Sequence, residues 1–143
     1  MRLAETCLLI GALAAAGKAQ GPDSVRVAAV IGCYHATPPL TYSASGGPER
    51  GDTAWAILRL SAGGIASRPL PRLRQDAFSK WWLNRDTLFL QLMDGFAGWR
   101  VVLTQVGGKW RGKGGYETDN AGSPPVVREF TLERRSCKGL PNG

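Results

Sequence analysis

Residues 79–118 read SKWWLNRDTLFLQLMDGFAGWRVVLTQVGGKWRGKGGYET. Short apolar runs alternate here with tight turns. SKWWL stops at Asn84-Arg85-Asp86, TLFLQLM at the Asp94-Gly95 to Gly98 turn, and WRVVLTQV at Gly107-Gly108, before KWRGKGGYET. Runs rich in aromatic and aliphatic residues, joined by Asn, Asp and Gly turns, specify an antiparallel meander. Successive side chains of a strand point to opposite faces, so each run has an inside and an outside. Leu88, Leu90 and Leu92 share one face, as do Trp99, Val101 and Leu103, with Arg100 and Thr104 opposite. Trp110, Gly112, Gly114 and Tyr116 share a face from which Lys109, Arg111 and Lys113 point away. A polar outer face of this kind suits a sheet closed around its apolar side.

The same pattern extends in both directions. Downstream, residues 119–125 read as a loop and residues 126–135 as the last strand, with Phe130 and Leu132 opposite Glu129, Thr131 and Glu133. Upstream, residues 53–60 (TAWAILRL) read as a strand, and residues 25–34 form a first apolar run that includes Cys33. Between them lies a loop rich in Gly, Ser and Pro. Residues 67–76 are irregular and basic, and Pro69 and Pro71 cannot donate to a central ladder. The expected fold is all-β, a single antiparallel meander of six or seven strands closing into a small β-barrel. At 143 residues the chain fits one domain.

The N-terminus reads differently. Arg2 precedes an apolar run over residues 7–16, and Gly17-Lys18-Ala19 places small residues before Gln20. This matches a secretory signal peptide over residues 1–19, leaving residues 20–143 as the barrel domain; the alternative is a short buried helix. The apolar run is too short for a stable membrane span. Cys7 stands at the front of that run, against a lipid anchor. Signal removal would leave two cysteines, Cys33 and Cys137. An even pair in an oxidising compartment reads as a disulfide, the alternative being two buried free thiols. The expected location is periplasmic or extracellular.

The chain carries 18 basic and 11 acidic residues, a net charge of +7. Residues 1–19 contain Arg2, Lys18 and Glu5, so the remainder is +6. The basic residues are scattered. They favour anionic partners without selecting one.

A signal-bearing meander of short strands, with its first strand tied to a point just past the last, resembles the lipocalin-like (calycin) small exported β-barrels. The resemblance spans residues 33–137 and is one of architecture. Gly32-Cys33-Tyr34 stands where lipocalins carry Gly-x-Trp, with tyrosine in place of tryptophan. The resemblance implies an eight-stranded barrel and a central cavity; it assigns no residue a role.

Catalytic constellations are weak. His35 is the only histidine and lacks companions for a metal site, and no Gly-x-Ser-x-Gly elbow accompanies it. Glu117 and Asp119 share a strand face near a turn, where acids are ordinarily solvated. The glycines of residues 107–115 lack the Gly-Lys-Ser/Thr ending of a phosphate loop. Neither enzyme activity, a cofactor nor a metal is expected.

Two binding readings remain. Gly112 and Gly114 lie between Trp110 and Tyr116, where side chains would normally fill the interior. They either leave room for an apolar or amphipathic small molecule, or permit strand coiling and cover by a neighbouring ring. Trp55, Trp99, Trp110, Tyr116 and Phe130 are the expected walls of such a cavity. The second reading is an anionic polymer, a glycan or nucleic acid, held by tryptophans interleaved with Lys80, Arg85, Arg100, Lys109, Arg111 and Lys113. Trp81 and Trp82 are adjacent, so one of them leaves the core face. Oligomeric state is open.

Overall fold

Two-residue turns set the register of the meander. Gly107 and Gly108 both adopt left-handed backbone, with φ of 58° and 76°, and Val106 therefore pairs with Lys109. Arg85 holds φ of 54° in the turn that pairs Asn84 with Thr87. These conformations match the twist of the flanking strands. A computed structural model describes residues 22–40, 56–68, 79–93, 97–118 and 126–140.

Eight antiparallel strands follow one another around a closed barrel: β1 (Gly32–Thr37), β2 (Ile57–Ser61), β3 (Ile65–Ser67), β4 (Lys80–Asn84), β5 (Thr87–Met93), β6 (Ala97–Val106), β7 (Lys109–Thr118) and β8 (Val126–Arg135). Closure comes from β1 pairing with β8, with Cys33 opposite Arg135 and Thr37 opposite Thr131. Among the described residues every strand has a neighbour on both sides, with β3 meeting β4 at Ile65 and Lys80. The Cys33–Cys137 disulfide spans the seam, 104 residues apart in sequence and 5.3 Å apart at Cα. A loop of that length corresponds to about 4–5 kcal/mol of chain entropy removed from the unfolded state.

Two elements correct the sequence reading. The run 25–34 is not one strand. Residues 22–30 form helix α1 (Pro22–Val30), and the strand begins only at Gly32. Pro22 and Asp23 suit a helix start, because proline presets φ and an acid complements the helix dipole. The strand count is eight rather than six or seven. The strand missing from the expectation, β3, has three residues and follows a 3-10 turn (Ala62–Gly64). The expected signal segment and Trp55 lie outside the described residues. No helix among those described is long and apolar enough to cross a membrane.

Alternation places the core as expected. Leu88, Leu90, Leu92, Trp99, Val101, Leu103, Phe130 and Leu132 are buried inside the barrel, joined by Tyr34, Leu58, Leu60 and Trp81. Fully burying each large apolar side chain is worth about 1.5–3 kcal/mol. Trp81 turns inward and its indole N–H donates to the Ser61 carbonyl at 2.9 Å, while Trp82 faces out.

Candidate functional site

The expected wall residues separate into two groups. Trp99, Tyr116 and Phe130 close on one another. Tyr116 and Phe130 each meet the Trp99 ring edge-on, with centroids 5.2 and 5.0 Å away. The space left by Gly114 is occupied as well: a Cβ there would stand 2.8 Å from both Phe130 Cε2 and Val101 Cγ2. Gly112 lies against backbone, where a Cβ would meet the Val102 carbonyl oxygen. Both glycines admit close packing, the second of the two explanations their pattern left open.

Trp110 is set apart from that cluster. It stands at the end of the barrel beside α1 and lines a cleft of about 170 Å³. This end gathers α1, the start of β1, the end of β8 and the two-residue turns at Arg85–Asp86 and Gly107–Gly108. Tyr34, Leu83 and Trp110 supply apolar and aromatic wall, and Arg26, Arg85 and Arg134 supply cations against one acid, Asp86.

Each arginine is held differently. Arg134 continues the inward parity of Phe130 and Leu132 and pairs with Tyr34 across the barrel seam. Its guanidinium donates to the Ala29 carbonyl at 3.0 Å and to the Ile31 carbonyl, and lies 5.6 Å from the centre of the Tyr34 ring. Those carbonyls are the acceptors that a helix leaves unpaired at its C-terminus. A neutral carbonyl satisfies the N–H groups of arginine without cancelling its charge. Gly32 makes room for this arrangement, since any Cβ there would meet the Arg134 guanidinium. Arg26 forms an exposed pair with Asp86 at 3.4 Å. Arg85 makes no hydrogen bond or ion pair among the described residues, and its turn presents it to the cleft.

Tyr34 completes the wall. Its hydroxyl donates to the Val30 carbonyl at 2.5 Å. Burial pushes its phenol above the usual value, opposed by the charge of Arg134 and by a hydrogen bond from Trp110. The group is thus a neutral hydrogen-bonding phenol at neutral pH. The assembly can hold a small anion by its charge and an attached apolar body by Trp110, Tyr34 and Leu83.

The remaining expectations fall outside this cleft. His35 points outward, opposite Glu133, with Thr37 Oγ1 at 3.4 Å from its Nδ1. Glu117 pairs with Arg100 at 2.9 Å, and Asp119 lies outside the described residues. Lys109 pairs with Glu133 at 2.5 Å on the barrel exterior. Sequence reasoning named Trp110 and Arg85 but missed Tyr34, Arg26 and Arg134 as a group. A usable signal was the parity of Arg134, an arginine two residues beyond Leu132 on the apolar face. Comparison with known proteins finds no family model, no curated protein and no solved structure that matches the chain.

Proposed function

We propose that the chain is an exported, calycin-like binding module that holds a small anionic amphipathic molecule in the cleft beside α1, and that it catalyses no reaction. The observation that carries this reading is the excess of arginine over acid around an aromatic wall: Arg26, Arg85 and Arg134 against Asp86, with Trp110 and Tyr34 between them. The closed eight-stranded meander and its seam disulfide fit the calycin type and an oxidising compartment. The cleft replaces the central cavity as the binding place, because Phe130 and Val101 occupy the space next to Gly114.

Binding would use two features together. An anionic head would take charge-assisted hydrogen bonds from Arg85 and, on displacement of Asp86, from Arg26. A ring or short chain would lie against Trp110. Naphthalene-2-sulfonate and the neutral naphthalene-2-methanol separate the contributions by calorimetry. The sulfonate is expected to bind, and the alcohol to bind at least tenfold more weakly. Arg85→Asn keeps a residue that tolerates the left-handed turn and should weaken sulfonate binding about tenfold, the loss of one charge-assisted hydrogen bond. Equal binding of the two compounds, or no effect of Arg85→Asn, would overturn this reading.

A further inference from the structure

The outer wall carries a second aromatic feature that the cleft does not use. Trp82 on β4 faces solvent with 43% of its surface exposed, although tryptophan is among the costliest side chains to leave in water. Phe89, its register partner on β5, stacks against one face of the indole with centroids 5.2 Å apart and planes within 3°. Ile65 pairs with Lys80, and in the 3-10 turn before it a Cβ on Gly64 would stand 2.9 Å from the Trp81 carbonyl oxygen. In the same turn a Cβ on Gly63 would meet nothing within 4 Å. The exposed part of the indole is backed by Phe89. The Lys80 ammonium lies 5.7 Å from the ring centre.

Register extends this feature across the barrel. Trp82, Phe89, Val102 and Lys113 lie in one row over β4 to β7, and Val102 is 45% exposed. Strands are spaced by about 4.8 Å, so the row runs roughly 14 Å from Trp82 to Lys113. Lys80 and Lys113 form no ion pair with a carboxylate among the described residues, whereas Arg100 and Lys109 are paired with Glu117 and Glu133. The row thus has an ammonium near each end and apolar surface between them, with Glu129 of β8 the register partner of Lys113.

We propose that this row is a binding site for an acidic polysaccharide strand, a chain of uronate or sulfated sugars. The apolar C–H face of one sugar ring packs on the exposed part of Trp82. Lys80 takes the acidic group of that ring, and Lys113 takes one further along the strand. The distance between the cations asks for an oligomer and not for a single sugar. Asn84, Thr87, Gln91 and Thr104 flank the row, so the apolar strip is too narrow to sink into lipid. A single aromatic platform also does not match successive stacked bases, which need a series of rings.

Polygalacturonate, dextran sulfate and neutral dextran test the site by affinity electrophoresis and calorimetry with the full chain. Both polyanions should bind with an affinity that falls as salt rises, and neutral dextran at least tenfold more weakly. Trp82→Leu, an exposed substitution, should weaken polyanion binding about tenfold, while Trp82→Phe should retain most of it. Lys80→Gln and Lys113→Gln should each flatten the salt dependence. Unchanged thermal unfolding of each variant controls for the fold. The proposal is overturned if Trp82→Leu leaves polyanion binding unchanged. It is also overturned if Trp82 affects binding only to anionic phosphatidylglycerol vesicles or to oligothymidylate. Loss of naphthalene-2-sulfonate binding in Arg85→Asn leaves the outer row untouched, so the two sites fail separately.

Discussion

Replacing Gly114 with alanine tests whether the barrel interior is filled. The added methyl would stand 2.8 Å from Phe130 Cε2 and from Val101 Cγ2. Carbon atoms in contact prefer about 3.5–4.0 Å, so each overlap is about 0.7 Å or more. Phe130 is 2% exposed and braced edge-on against Trp99, and it cannot swing away without disturbing the aromatic cluster. Overpacking of this kind costs about 1–3 kcal/mol, and loss of glycine's unfolded-state freedom returns roughly 0.5–1 kcal/mol. The net expectation is destabilisation by about 1–2 kcal/mol. With a urea slope of about 2 kcal/mol per molar, the unfolding midpoint should fall by about 0.5–1 M. Gly115→Ala is the internal control, because a Cβ at Gly115 meets nothing within 4 Å. Its midpoint should be unchanged or slightly raised. If Gly114→Ala is as stable as Gly115→Ala, the interior holds unfilled space, and the displacement of the ligand site to the barrel end loses its basis.

Three further outcomes follow from the α1 end and the seam. Converting both Cys33 and Cys137 to serine should lower stability by about 4 kcal/mol, read as a urea midpoint shift with the native circular dichroism retained at low denaturant. Arg134→Met removes the donors to Ala29 and Ile31 while keeping an apolar stem, so amide exchange over residues 23–31 should quicken well before that of β5 to β7. For Tyr34 the folded pKa lies above the unfolded value of 10.0, and burial is the leading cause. The neutral phenol is therefore favoured by folding. Its contribution is complete below pH 10.0 and is lost as pH rises from there through the folded pKa. Tyr34→Phe should flatten that alkaline loss of stability, and at neutral pH should cost about 1 kcal/mol for the hydrogen bond to Val30.

The parts of the fold visible in the sequence are those governed by local rules. In β5 to β8 the period of two and the Gly107-Gly108 turn agree, and the burial pattern of Leu88 to Leu92 follows directly. The cysteine pair was legible once Cys7 was set aside with the expected signal segment, leaving an even number. Helix α1 was not, because its C-terminal carbonyls are capped by Arg134 from the other end of the chain. Strand β3 was hidden by its length and by pairing that depends on β2. The adjacent tryptophans required one to face outward, but which one followed only from the register that opposes Trp81 to Leu90 and Trp82 to Phe89. The cleft is drawn from α1, two turns and both seam strands, so no single stretch of sequence contains it.

The binding claim is tested most directly by nitrogen-15 NMR of the five indole N–H signals, assigned by single Trp→Phe variants, during titration with naphthalene-2-sulfonate. Trp110 lines the α1 cleft, and Trp99 sits at 0% exposure within the packed interior. The Trp110 signal should shift saturably, together with the backbone amides of Arg85 and Gly108, while Trp99 stays in place. A saturable shift at Trp99 with Trp110 unmoved would return the ligand to a central cavity, and no saturable shift at either would contradict binding in the barrel altogether.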